Sequence, residues 1–178
     1  MTIELDEAGL RACCAADAWV AGVLDGQPYA SEDALYKTSD AATEALDDAG
    51  LAQALAGHPR IGERAESAWS KQEQSGMASA DDRLRAELAD ANAEYERRFG
   101  HVYLVCANGR SAVELLAVCR ARLGNDPATE QAVVREELAK INRLRLAKLM
   151  GHVSDACGAN QKHSTAAESP RLAKRGLS

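Results

Sequence analysis

An all-α, single-domain bundle of about seven to eight helices is the architecture this sequence predicts, on three observations. Alanine, the strongest helix former, supplies about a fifth of the residues. Apolar positions recur at helical spacing between glycine or proline breaks and serine- or aspartate-led starts. Only one short stretch, 101–107, reads as β-like. The 178 residues are one domain's worth. A chain of that size buries roughly 70% of its unfolded surface, so it needs no disulfide or metal staple.

The elements follow in order. Residues 6–25 read as one helix, with Leu10, Cys14, Trp19 and Val23 as its apolar positions, ended by Gly26-Gln27-Pro28. Ser31, followed by Glu32 and Asp33, caps a second helix reaching about Ala49, before Gly50. A short helical piece, 51–56, meets Gly57-His58-Pro59-Arg60-Ile61-Gly62. Residues 63–75 are good helix formers and stop at Gly76. Ser79, Asp81 and Asp82 open a helix to about Arg98, before Gly100. His101 to Ala107 is too short an apolar run for its pattern to separate strand from helix. Ser111 starts a helix ending near Leu123. Asn125-Asp126-Pro127 starts the last, about Ala128 to Met150, with aspartate as cap and proline in the first turn. After Gly151 the periodicity dissolves. Residues 1–151 therefore read as the helical domain and 152–178 as a mobile tail.

Composition excludes several functions. The formal charge of -6 and the 4% aromatic content argue against binding nucleic acid by bulk charge or base stacking. No apolar run reaches the roughly 18–20 residues of a membrane span, and Met1 to Leu10 carries acids where a secretory leader carries Lys or Arg. A cytoplasmic protein is expected. Five cysteines without a C-x-x-C suit reduced thiols, and no Cys/His spacing predicts a metal site.

Three constellations could carry chemistry. Pro59 forces His58 out of helical conformation, and flanking glycines allow a tight turn. His58 then sits on a bent segment, either as a proton carrier or as an ordinary loop residue. In Ser70-Lys71-Gln72-Glu73-Gln74, positions 70, 73 and 74 share a helix face and offer a hydroxyl, a carboxylate and an amide to a heterocycle rich in N–H and C=O groups. The same S-x-x-E is also a capping box. Arg145 falls at the centre of the stripe Val134, Leu138, Ile141, Leu149. It is either an anion-binding group or half of a structural ion pair with Glu130 or Glu137, unless it reaches out to the rim. Arg143 points away. Cys13 and Cys14 read as small core residues.

The residues themselves go further. The run HPRIGERAESAWSKQEQSGM, 58–77, resembles the signature of the OHCU decarboxylase family, which acts on 2-oxo-4-hydroxy-4-carboxy-5-ureidoimidazoline in urate breakdown. The likeness continues through CC..D.WV (13–20), N..YE.RFG.VYLV (92–105), RL.N (122–125) and E.A.IN.LRL..L (137–149), over about residues 5–151. It implies a helical homodimer that yields (S)-allantoin and CO2 without a cofactor. It also implies His58 as catalytic acid, with Pro59 beside it. Glu73 would act with Arg145 in catalysis. The segment Ser70, Lys71, Gln72, Glu73 and Gln74 would contact substrate, as would the backbone of Tyr103, Leu104, Val105, Cys106 and Ala107. The partners implied are a small ureidoimidazoline and, beyond a second copy, upstream urate-pathway enzymes. Two departures stand out: Gln27-Pro28-Tyr29 at a turn, and His101, where an aromatic residue of the pocket wall is common. The rival readings are a non-enzymatic helical interaction domain and a hydrolase of a related ureide.

Overall fold

A computed structural model describes residues 2–62, 77 and 80–151. Seven helices run through them: α1 (Glu7–Cys13), α2 (Asp17–Asp25), α3 (Glu32–Glu44), α4 (Asp48–Ala56), α5 (Asp82–Phe99), α6 (Ala112–Arg122) and α7 (Pro127–Leu149). Among the described residues the β-structure is one isolated antiparallel bridge, Ile3 to Tyr29. The helix expected over 63–75 and the tail at 152–178 lie outside the described residues.

The starts obey cap chemistry. Asp6, Ser31, Asp47, Asp81, Ser111 and Asp126 each accept a first-turn N–H. Ser111 and Glu114 complete a capping box. Pro127 occupies the first turn of α7, as its sequence predicts. Gly100 ends α5 in the left-handed region at φ 79°, where a side chain is strained.

Two helix readings are corrected. Residues 6–25 form two helices, broken over 14–16 with Cys14 and Ala16 extended. No breaker residue stands there, so tertiary contacts override propensity. The Cys13 carbonyl, released at the end of α1, accepts from Arg145 Nη1 at 3.0 Å. Ala16 offers α2 no side-chain cap. Gln53 stands in: its Oε1 accepts the Asp17 N–H at 3.0 Å and its Nε2 donates to the Asp17 carboxylate at 2.8 Å. The helix expected from Ser31 to Ala49 stops at Glu44 instead, and Asp47 caps a new one. Gly50, read as a terminator, donates its N–H to Asp47 in the first turn of α4 at 2.7 Å.

Two apolar cores result. One joins α1–α4 to the inner face of α7 through Leu10, Trp19, Leu35, Leu51, Val134 and Leu138. The other joins α5 and α6 through Leu88, Tyr95, Leu115 and Cys119. Between them runs the extended segment 103–107. Its side chains alternate: Leu104 enters the first core, whereas Tyr103, Val105 and Ala107 enter the second. That is the period of a strand buried on both faces. Leu138 is fully buried. Leu138→Ala is expected to cost about 2–5 kcal/mol, because the fixed helices close the cavity only partly. Urea unfolding followed by circular dichroism checks this.

Candidate active site

His58 begins where α4 ends. Its N–H still reaches back to the Leu55 carbonyl at 3.0 Å, and Pro59 then diverts the chain. The two flanking glycines are not equivalent. Gly57 keeps an ordinary right-handed conformation at φ -81°, and an added Cβ would meet Ala15 only at contact distance, 3.5 Å. Gly62, at φ 90°, is the one whose backbone needs glycine.

Helix α5 holds this loop at two points. Arg60 makes a two-pronged ion pair with Glu96, Nη2 lying 2.7 Å from Oε2. Asn92 Nδ2 donates to the Ile61 carbonyl at 2.8 Å. Ile61 is buried in the second core. Asn92 and Glu96 therefore set the position of His58 from the helix behind it. Both belong to the N..YE run, and the sequence reading assigned neither a task.

His58, Pro59, Tyr103, Leu104, Val105, Cys106 and Ala107 converge on one cleft, as the sequence reading expects. Ile61, Asn108, Ile141 and Leu144 complete its walls. The last two are the turn of α7 that precedes Arg145. The cleft is narrow, with about 20 Å³ of free volume, room for one water molecule. His101 is not on its wall. It packs instead against Tyr95 at 5.6 Å and Phe99 at 6.3 Å, with Nδ1 3.0 Å from the Val102 carbonyl. Ser70, Lys71, Gln72, Glu73 and Gln74 lie outside the described residues.

Arg145 is inward, as its place on the stripe requires, at 6% exposure. Neither suggested ion-pair partner is engaged with it. Glu130 holds Arg122, and Glu137 holds Lys140. Arg145 instead donates to the Cys13 carbonyl, at the negative end of α1. Arg143 turns outward to Asp40 and over the Tyr36 ring. Cys14 is buried beside Arg145, and desolvation pushes its thiol up. Cys119, also buried, is pushed up to about 11. Neither is poised as a thiolate nucleophile.

The charge of Arg145 reaches His58. His58 is half-buried on the wall of the cleft; desolvation first, and that guanidinium second, hold its imidazole down at about 3 from an ordinary 6.5. His58 is therefore neutral at pH 7. The consequence for stability has a definite sign. The unfolded chain takes up a proton at His58 near 6.5 and the folded chain only near 3. Stability from this site is complete above about pH 6.5 and is lost as pH falls toward 3. His58→Asn is expected to flatten that part of the acid limb. Thermal melts of both proteins between pH 7.5 and 4.5 test it, and parallel curves would contradict the lowered pKa of His58.

The fold and cleft define an all-helical domain that sets a neutral imidazole near a buried guanidinium, with an extended backbone segment as one wall. The OHCU decarboxylase family model matches residues 3–147. The chain belongs to that family. It is 33% identical over 134 residues to the 2-oxo-4-hydroxy-4-carboxy-5-ureidoimidazoline decarboxylase of Amia calva, covering 71% of this chain and 76% of that protein. It is 26% identical to the uric acid degradation bifunctional protein TTL of Arabidopsis thaliana, over 84% of this chain but 48% of that longer protein. The chain thus spans about half of the Arabidopsis thaliana relative and three quarters of the Amia calva one. A crystal structure of OHCU decarboxylase in the presence of (S)-allantoin superposes with a TM-score of 0.73 at 26% identity, covering 83% of this chain and 99% of that one.

Proposed function

We propose that the protein decarboxylates 2-oxo-4-hydroxy-4-carboxy-5-ureidoimidazoline to (S)-allantoin and CO2 in urate degradation. The observation that carries this is the family match over residues 3–147, together with His58 and the 103–107 wall sharing one cleft. The substrate's name places a hydroxyl and a carboxyl on one ring carbon, next to the carbon that bears the ureido group. That neighbouring carbon is doubly bonded to a ring nitrogen. Breaking the carbon–carboxyl bond releases CO2, and the electron pair moves toward the C=N. The substrate thus supplies its own electron sink, and no cofactor is required by this chemistry. The ring nitrogen that receives the pair takes up a proton from solvent, which leaves an enol; the enol then loses its hydroxyl proton and gains one at the ureido-bearing carbon.

His58 is assigned to the proton transfer and Arg145 to the substrate's negative charge. A neutral imidazole suits this order of events. It can take up a second proton, the one released by the enol hydroxyl, once an anion is bound, because that anion offsets the repulsion from Arg145. His58 then takes up a proton and delivers it to one face of the planar carbon, which fixes the S hand. Ser70, Glu73 and Gln74, with Lys71 and Gln72 between them, are assigned by resemblance to the ring and ureido groups. Pro59 and the backbone of Tyr103 to Ala107 are assigned to the ring's surroundings. The volume of the cleft does not by itself favour the enzyme over an interaction domain. Family membership does.

The proposal extends to a cytoplasmic homodimer able to associate with upstream urate-pathway enzymes. No helix among the described residues is long and apolar enough to cross a membrane. The test generates substrate in place from urate and follows circular dichroism of the allantoin formed. Rapid appearance of the S signal supports the decarboxylase. A signal no different from the blank would leave the interaction domain. Allantoin-free products without CO2 release would point to a ureide hydrolase.

A further inference from the structure

The segment 103–107 has the side-chain alternation of a central strand, yet among the described residues no other strand borders it. Its main chain is held by side chains. Arg122 Nη1 donates to the Leu104 carbonyl at 2.7 Å. Glu137 Oε2 accepts the Cys106 N–H at 2.7 Å. In extended backbone, residues two apart present their N–H and C=O to the same edge. Leu104 and Cys106 are therefore gripped along one edge, and the main chain of Tyr103, Val105 and Ala107 is turned to the other.

The grip is built at a cost that packing alone would not demand. Arg122 is 6% exposed, Glu137 5% and Glu130 fully buried. Taking such ions out of water is unfavourable unless each finds partners. Arg122 finds them in Glu130, whose Oε1 accepts Nε at 2.8 Å and Nη2 at 2.5 Å. Tyr95 and Asn125 also donate to Glu130. The guanidinium lies 5.0 Å above the Tyr103 ring. Glu137 reaches the segment from α7, one turn before the wall residue Ile141, and its other oxygen accepts from Lys140 Nζ at 2.6 Å. Two independent buried ions thus end on adjacent points of the same pocket wall.

We propose that Glu137 and Arg122 are positioning residues for the decarboxylation, holding the wall formed by Tyr103 to Ala107 in register with His58 by gripping its main chain in place of a neighbouring strand. This rests on the proposed function. Neither residue lines the cleft, so each acts through the segment it holds. A wall displaced by about 1 Å is expected to slow the chemical step by on the order of 10²-fold.

Glu137 gives the sharper test, because acceptor and charge can be separated. Glu137→Met removes both, and is expected to lower kcat 10- to 100-fold. Glu137→Gln keeps an acceptor for the Cys106 N–H and is expected to stay within about threefold of wild type. Lys140→Met, which leaves that bond in place, should match wild type. Amide hydrogen exchange supplies a readout that does not depend on turnover: Cys106 loses protection in Glu137→Met and keeps it in Glu137→Gln. Should Glu137→Met fail to fold, Glu137→Asp, shorter by one methylene, replaces it with the same expected losses. A folded Met or Asp variant with wild-type kcat overturns the inference, as does a Gln variant that falls as far as Met. A wild-type protein that releases CO2 no faster than the blank overturns the proposed function itself, and the inference with it.

Discussion

His58→Ala is expected to lower the rate of (S)-allantoin formation by 10²-fold or more and to bring the product close to racemic. The two losses have one origin. Without the imidazole, water protonates a planar carbon and has no reason to prefer a face. A slower enzyme that kept its stereoselectivity would mean that His58 only helps to hold the ring. Full rate with full stereoselectivity would remove it from the mechanism. The variant is a fair test because His58 stands on a loop whose anchors lie elsewhere: Arg60 on Glu96, and the Ile61 carbonyl on Asn92. Losing the imidazole leaves those bonds in place. Polarimetry and CO2 release, followed together on freshly generated substrate, separate the outcomes.

The helix starts were legible because cap chemistry is local. Ser31, Ser111 and Asp126 announce their helices within four residues, and each accepts the bond its type predicts. The inward Arg145 was legible because α7 is long enough for its period to be counted. The break at Cys14–Ala16 was not. Nothing in an alanine-rich run forecasts that a side chain 132 positions later will claim the Cys13 carbonyl. Residues 101–107 read as β-like yet ambiguous, since a strand is ordinarily recognised with its neighbours. Here Arg122 and Glu137 take the neighbours' place, and nothing in the sequence assigns Arg122 a task or gives Glu137 more than a possible pairing with Arg145. Glu130 and Glu137 were read as possible partners of Arg145, which spacing on α7 allows. What spacing cannot convey is that Arg122 and Lys140 reach them first.

Arg145→Met is expected to act mainly on binding, raising KM roughly 10- to 100-fold, the worth of one hydrogen bond to a charged group. A smaller effect on kcat follows if the guanidinium attracts the substrate's charge equally before and during CO2 loss. An unchanged KM would remove its anchoring role. The variant carries a second cost: the Cys13 carbonyl loses the donor it has in Arg145 Nη1. About 1–3 kcal/mol of stability should go with it, so turnover is to be compared at a temperature where both proteins are folded. His58 provides an internal check. Its pKa should rise when the neighbouring positive charge is removed, yet stay below 6.5, because burial is the larger of its two causes. An NMR titration of the imidazole in both proteins reads this directly. A His58 that titrates identically in the two would mean that the guanidinium and the imidazole do not share one field, and then no single anion could be held by the first while it is protonated by the second.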